Sequence, residues 1–184
     1  MIEGKRFNIR HVCKHDLERL IPLLNNLALR GDYLPFSMTA PQLIEHNLER
    51  DSLIPDAPER LLIVDKHDDI LGALWHFEGV PYFNAREIGY ILYKADQRRS
   101  GVMSEAVAML CDYVFKSRLL NRLEIRMDTN NIASEKVAIK CGFQKEGVAR
   151  QASFSHGRHV DMNVYALLRS EWEQMRDKCP SVHA

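Results

Sequence analysis

The stretch Gln97-Arg98-Arg99-Ser100-Gly101-Val102-Met103 decides the fold of this chain. It follows a strand-like run, Glu87-Ile88-Gly89-Tyr90-Ile91-Leu92, and opens a helix-like run from Gly101 to about Lys116. A strand, a short basic loop containing Gly, and then a helix make a cradle for a pyrophosphate. The first amides of a helix have no partner within it, and the helix dipole favours an anion there. Gly101 lets the backbone come close to a phosphate, and Arg98 and Arg99 add positive charge. Such junctions are common and basic loop pairs are usually solvated, so the loop alone does not fix a ligand.

Working outward, the bulk properties narrow the classes. The chain has 184 residues, enough for one domain with a sizeable core, and 46% of them are hydrophobic. Lys+Arg and Asp+Glu are both 25, which gives no broad nucleic-acid footprint. The four cysteines, Cys13, Cys111, Cys141 and Cys179, form no C-x-x-C pair or zinc spacing. His11, Cys13 and His15 alternate, but without further ligands they suit a strand running into a helix, and no metal is expected. Neither a secretory leader nor a bilayer-long apolar run is visible, so a cytoplasmic protein with reduced thiols and no membrane contact is expected.

Phe7 to Val12 alternates as a strand, and Asp16 starts a helix with Leu17, Leu20, Ile21, Leu24 and Leu27 on one face. Gly31 and Pro35 break it, leaving Tyr33-Leu34-Pro35-Phe36 as an apolar loop. Thr39 as N-cap and Pro41 in the first turn open a second helix to about Arg50. Pro55 and Pro58 end that region. Strands follow at Arg60 to Asp65, Ile70 to Glu78 and Arg86 to Leu92, then the loop and helix already described, then a strand from Arg122 to Met127. Asn131 to Cys141 is a short helix closed by Gly142. Gln144 to Phe154 and His159 to Leu168 form a hairpin through His156-Gly157-Arg158. From Glu171 a short helical end leads into a mobile tail from about 176. The order predicts one mixed α/β domain over 1–184.

These residues resemble the GNAT superfamily of acetyl-CoA-dependent N-acetyltransferases, whose loop reads Arg/Gln-x-x-Gly-x-Gly/Ala. Arg98 fills the first place and Gly101 the fourth. Met103 stands where Gly or Ala is usual, as in the Rim branch that acetylates ribosomal-protein N-termini. Ala85-Arg86-Glu87-Ile88-Gly89-Tyr90, Asn131-Ile132-Ala133-Ser134 running to Gly142-Phe143, and the final hairpin resemble that branch in the same order. The resemblance implies a mixed, curved sheet of about seven strands with about four helices, splayed open beside the strand that ends at Leu92. It implies acetyl-CoA in the split, its pyrophosphate on the amides of Arg99, Ser100, Gly101, Val102 and Met103, with Ile91 and Leu92 along the donor.

Amide formation from a thioester needs a neutral amine, a stabilised carbonyl oxygen, a departing thiolate and alignment. Glu87 is the first candidate base, through water; a solvated outward Glu is the plain alternative. Glu78 is a second candidate, though it also reads as a turn residue before Gly79. Ser134 is the resemblance's candidate acid for the thiolate, and otherwise a helix cap. Asn131 is expected to bond the pantetheine arm or to cap the helix. The amide near Leu92 is expected to polarise the thioester carbonyl. Trp75, Phe77, Tyr33 and Phe36, with Tyr82 and Phe83, are expected around the acceptor, and Asp32 as an attractor for a cationic amine; core packing is the alternative for the aromatics.

The resulting expectation is acetyl transfer by direct attack in a ternary complex, to a protein N-terminus or a small amine. An aminoacyl-nucleotide, antibiotic or polyamine acceptor is the alternative within that class. A non-catalytic coenzyme A sensor is the alternative outside it. The absence of G-x-x-x-x-G-K-[ST] argues against a nucleotide-binding loop of that kind. A monomer and a homodimer both fit the sequence.

Overall fold

The computed structural model describes residues 1–34, 36–54 and 56–178; Pro35, Pro55 and the 179–184 part of the expected tail lie outside them. Strands are β1 (Ile2–Glu3), β2 (Asn8–His11), β3 (Glu59–Val64), β4 (Ile70–Phe77), β5 (Ala85–Leu92), β6 (Arg122–Asp128), β7 (Gln144–Ser155) and β8 (Arg158–Leu168). Helices are α1 (Leu17–Leu24), α2 (Leu27–Arg30), α3 (Pro41–Leu53), α4 (Val102–Ser117), α5 (Ile132–Lys140) and α6 (Arg169–Lys178). They build an eight-stranded sheet in the order β1-β2-β3-β4-β5-β6-β8-β7.

The join between β5 and β6 positions everything else. All other neighbours are antiparallel; this pair is parallel and matched only at Ala85, Arg86 and Glu87 with Arg122, Leu123 and Glu124. Beyond Glu87, β5 continues beside β4 alone, while β6 continues beside β8. The sheet is therefore splayed from Ile88 onward. Helix α4 fills one face beneath the join. Val102, Met103, Ala106, Val107, Leu110, Cys111, Val114 and Phe115 are buried there against Ile88, Leu123 and Ile125. Each large apolar side chain so buried contributes about 1.5–3 kcal/mol. Met103 thus spends its side chain on the core, leaving only its backbone for the loop.

Several expected boundaries shift. The first helix stops at Leu24 because Asn25 turns its side chain to Thr39, accepting from its amide at 2.8 Å and donating to its carbonyl at 2.9 Å. Asn26 then caps the short α2 by accepting from the Ala28 amide at 3.1 Å. Thr39 is consequently no N-cap; Ala40 precedes α3, with Pro41 at its first position as expected. A two-residue strand, β1, joins the edge, making eight strands rather than about seven. The final helix starts at Arg169, and 176–178 belong to it. Its buried Trp172 packs on Phe115 with centroids 5.1 Å apart and donates to Asp112 Oδ1 at 2.9 Å. The β7–β8 turn has positive φ at His156 (49°) and Gly157 (78°), as a two-residue hairpin of matching twist requires.

At the other end, Asp16 is fully buried beneath two guanidinium groups. Arg10 binds both its oxygens, at 2.7 and 2.8 Å, and Arg19 and the Cys13 amide complete the set. Asp68 shares both arginines. His15, Asp16 and Asp68 come together here, but two cations already serve the carboxylates.

Candidate active site

The loop predicted as an anion cradle has the backbone for it. A short 3-10 turn, Ala95–Gln97, leads to Arg99 at φ 62° and Gly101 at φ 83°, both in the left-handed region. Intrahelical bonding begins with the Glu105 amide on Gly101 oxygen. The Val102 amide is taken by Ser100 Oγ at 3.3 Å. Among the described residues the amides of Arg99, Ser100, Gly101, Met103 and Ser104 have no acceptor. That is a nest of donors at the start of a sixteen-residue helix. A Cβ on Gly101 would stand 3.8 Å from Arg6 Nη2 and 3.8 Å from Lys140 Nζ, so two further cations border the cradle, Arg6 already paired with Glu105 at 2.6 Å. Arg6 also donates to Ser100 oxygen at 3.1 Å, holding the loop against β2's lead-in. Neither Arg6 nor Lys140 is apparent from local sequence, because both arrive from distant segments.

The open edge of β5 lies beside this loop. The Tyr93 amide donates across β4 to Leu71 oxygen at 2.9 Å. Alternation along the strand then turns the Tyr90 and Leu92 amides the other way, into the split. The expected carbonyl-polarising amide of Leu92 is therefore on the open edge.

Side chains of β5 alternate between two faces. Tyr90 points with Ile88 toward α4 and α5, where its hydroxyl lies 2.7 Å from Ser134 Oγ. Ser134 is the third residue of α5, its amide donating to Asn131 Oδ1 at 3.1 Å. Asn131 is thus the N-cap, as its plainer alternative had it, and Ser134 is not. Burial pushes the Tyr90 phenol well up, so it stays protonated and can donate to Ser134. The sequence reading passed over Tyr90 as a catalytic group; its partner is 44 residues away.

Glu87 lies on the opposite face with Phe77 and Trp75. It is partly buried, and burial raises its carboxyl above the usual range. Arg126 Nε at 3.5 Å works against that rise, and the neighbouring Glu124 works with it. Glu78, by contrast, is exposed past the end of β4, in an open cleft with Asp56, Arg60 and Arg86. Burial therefore favours Glu87 over Glu78 as the group tuned to take a proton.

The six aromatics do not form one cluster. Trp75 lies so close over Gly89 that a Cβ there would stand 2.2 Å from the indole. Tyr33 donates to Asn130 oxygen at 3.0 Å, and Phe36 stacks on His156 at 5.2 Å. Tyr82 and Phe83 meet edge-on in the β4–β5 loop, exposed. Asp32 is exposed on the turn after Gly31. They were expected together on the acceptor side; the hairpin and the α2–α3 segment separate them.

A family model described as an acetyltransferase (GNAT) domain matches residues 6–144. A Bacillus licheniformis protein called uncharacterized N-acetyltransferase p20 is 37% identical over 112 residues, 60% of this chain and 62% of that protein. The chain thus spans about three fifths of that curated relative. A Bacillus subtilis protein called putative ribosomal N-acetyltransferase YdaF is 28% identical over 178 residues, covering 92% of this chain and 95% of its own. In overall fold the chain is similar to the spermidine N-acetyltransferase of Vibrio cholerae crystallised with CoA and spermine, with TM-score 0.80, 19% identity, and 92% and 99% of the two chains covered. Among the described residues no helix is long and apolar enough to cross a membrane.

Proposed function

The chain belongs to the GNAT acetyltransferase family, and from that premise we propose that it moves the acetyl group of acetyl-CoA to a primary amine by direct attack in a ternary complex. One observation carries the proposal: β5 loses its partner after Glu87, leaving its edge amides beside the unpartnered amides of the Arg99 to Ser104 loop. A thioester carbonyl and a diphosphate are the two groups such a donor offers to these amides.

Each face of β5 has its task. On one, Glu87 takes the proton of the attacking amine, through water. The nitrogen then bonds the thioester carbon, and the Leu92 amide stabilises the oxygen as charge builds. On the other face the carbon–sulfur bond breaks and Ser134 gives its proton to the thiolate. The Tyr90 hydroxyl stays protonated and steadies Ser134 through its hydrogen bond, and Ser134 regains its proton from water. Arg98, Arg99, Arg6 and Lys140 surround the diphosphate, while the Asn131 amide nitrogen is left for the pantetheine arm.

For the acceptor, a protein N-terminus is supported by the similarity to the putative ribosomal enzyme, and a small amine by the fold shared with the spermidine enzyme. A coenzyme A sensor without turnover is less well supported, because Glu87 and the Tyr90–Ser134 pair serve no purpose in it. The test combines melting with thiol release. Acetyl-CoA at 100 times its Kd stabilises by about 2.7 kcal/mol, which raises the melting temperature by about 5–10 °C in a chain of this size. Release of thiol with peptides or amines then separates enzyme from sensor. Absence of both signals refutes the proposal.

A further inference from the structure

Between α1, α3 and the face of β3–β5 that bears Glu87 lies a cavity of about 310 Å3. Its wall is mainly aliphatic, Leu20, Leu24, Leu62, Ala73 and Ile91 among it, with Arg30, Thr39, Asn47 and Arg60 also lining it. An engineered cavity of about 150 Å3 with a wholly apolar lining stays dry and binds benzene. One of its polar atoms is buried without a partner. Tyr93 lines the cavity, is only 3% exposed, and its buried hydroxyl has no partner among the described residues. A buried hydroxyl without a partner calls for an explanation, and an absent ligand atom supplies one.

The cavity's position says which ligand. Ile91 immediately precedes Leu92, whose amide faces the split. Trp75, which also lines the cavity, lies over Gly89, two residues from Glu87 on the same face. The group delivered here is therefore the one next to the amine nitrogen, not the coenzyme, which belongs to the opposite side.

We propose that this cavity receives the apolar side chain of the acceptor, a branched aliphatic or aromatic group larger than that of alanine, with a polar atom of the acceptor, in its side chain or its peptide backbone, in reach of Tyr93. The proposal rests on the acyl-transfer reading and narrows its acceptor to amines beside such a group, as at a protein N-terminus beginning with Leu or Phe. A polyamine is the wrong occupant, since its charges would lose water against a mainly aliphatic wall whose lining includes the cations Arg30 and Arg60.

The full chain is assayed with acetyl-CoA and peptides that differ only in the first residue: Gly, Ser, Leu and Phe. Leu and Phe peptides are expected to exceed the Gly peptide in kcat/KM by about tenfold or more. Ala73→Leu fills the cavity and is expected to cut that ratio about tenfold, with Ala73→Val between. Retention of the melting rise with acetyl-CoA shows that each variant is folded. Equal rates for all four peptides, or an unchanged ratio in Ala73→Leu, overturns the assignment. Hexanoyl-CoA used as well as acetyl-CoA, and lost in Ala73→Leu, gives the cavity to the donor and overturns it too. No thiol release with any acceptor overturns the acyl-transfer reading itself, a result distinct from equal release with all.

Discussion

Replacing Arg126 with Gln tests whether Glu87 takes the amine proton. Arg126 Nε lies 3.5 Å from Glu87 Oε2, and Arg126 also binds Glu124 at 2.8 Å. At that separation two unit charges attract by about 1 kcal/mol in water and about 5 kcal/mol at an effective dielectric of 20. About a third of the Arg126 side chain is exposed, so the lower figure applies. Losing about 1.4 kcal/mol from the charged form moves a carboxyl by about one pH unit. The direction is upward, because the cation held the carboxylate ionised, and Glu124, left to Arg122 alone, adds repulsion of the same sign. A base must be deprotonated to act, so the acid limb of kcat/KM should move to higher pH by about one unit. The assay follows acetylated peptide by mass from pH 5 to 9. The peptide amine titrates near pH 7.7–8.0 whichever enzyme is used, giving a second limb as an internal control. An acid limb that stays in place, moves downward, or survives in Glu87→Gln refutes the role given to Glu87.

Ser134→Ala should lower turnover by about a hundredfold while acetyl-CoA affinity changes little, read by single-turnover kinetics and calorimetric titration. Gly89→Ala should cost about 1–3 kcal/mol, since its methyl would meet the Trp75 ring, and thermal unfolding checks it. Asp16→Asn removes a buried carboxylate that two arginines bind and should cost about 3 kcal/mol in denaturant unfolding. Arg10, first among the causes, holds the Asp16 carboxyl well below its usual range. The stability it supplies is thus full above the ordinary carboxylate value and fades as pH falls below about 4. Asp16→Asn should flatten that acid slope.

Local chemistry made much of the fold legible. Gly101 before an amphipathic run marked α4, and Gly142 and His156-Gly157 marked a helix end and a hairpin through the backbone angles they permit. What stayed hidden depends on distant partners. Leu27 continues the helical pattern of α1, yet Asn25 breaks it because Thr39, fourteen residues on, supplies its bonds. The polar sequence of α6 looked like a tail until Phe115 and Asp112 gave Trp172 a seat. In the site, Glu87 and Ser134 were legible as candidates, but Tyr90 and Arg126 acquire meaning only through contacts across strands and helices. The six aromatics do not form one cluster, because distinct segments carry them to different places.

The three-residue match between β5 and β6 also bears on how the molecule comes apart. The strand pairing between the two wings of the sheet is confined to Ala85, Arg86 and Glu87, with the Asn121 amide on Asn84 oxygen just before them, so the wings need not open together. Hydrogen exchange at Tyr90 and Leu92 should be fast in the empty protein and slow once the donor bridges the wings. Substrate loading would then set the rigidity of the molecule, and the enzyme would be most vulnerable to proteolysis between one turnover and the next.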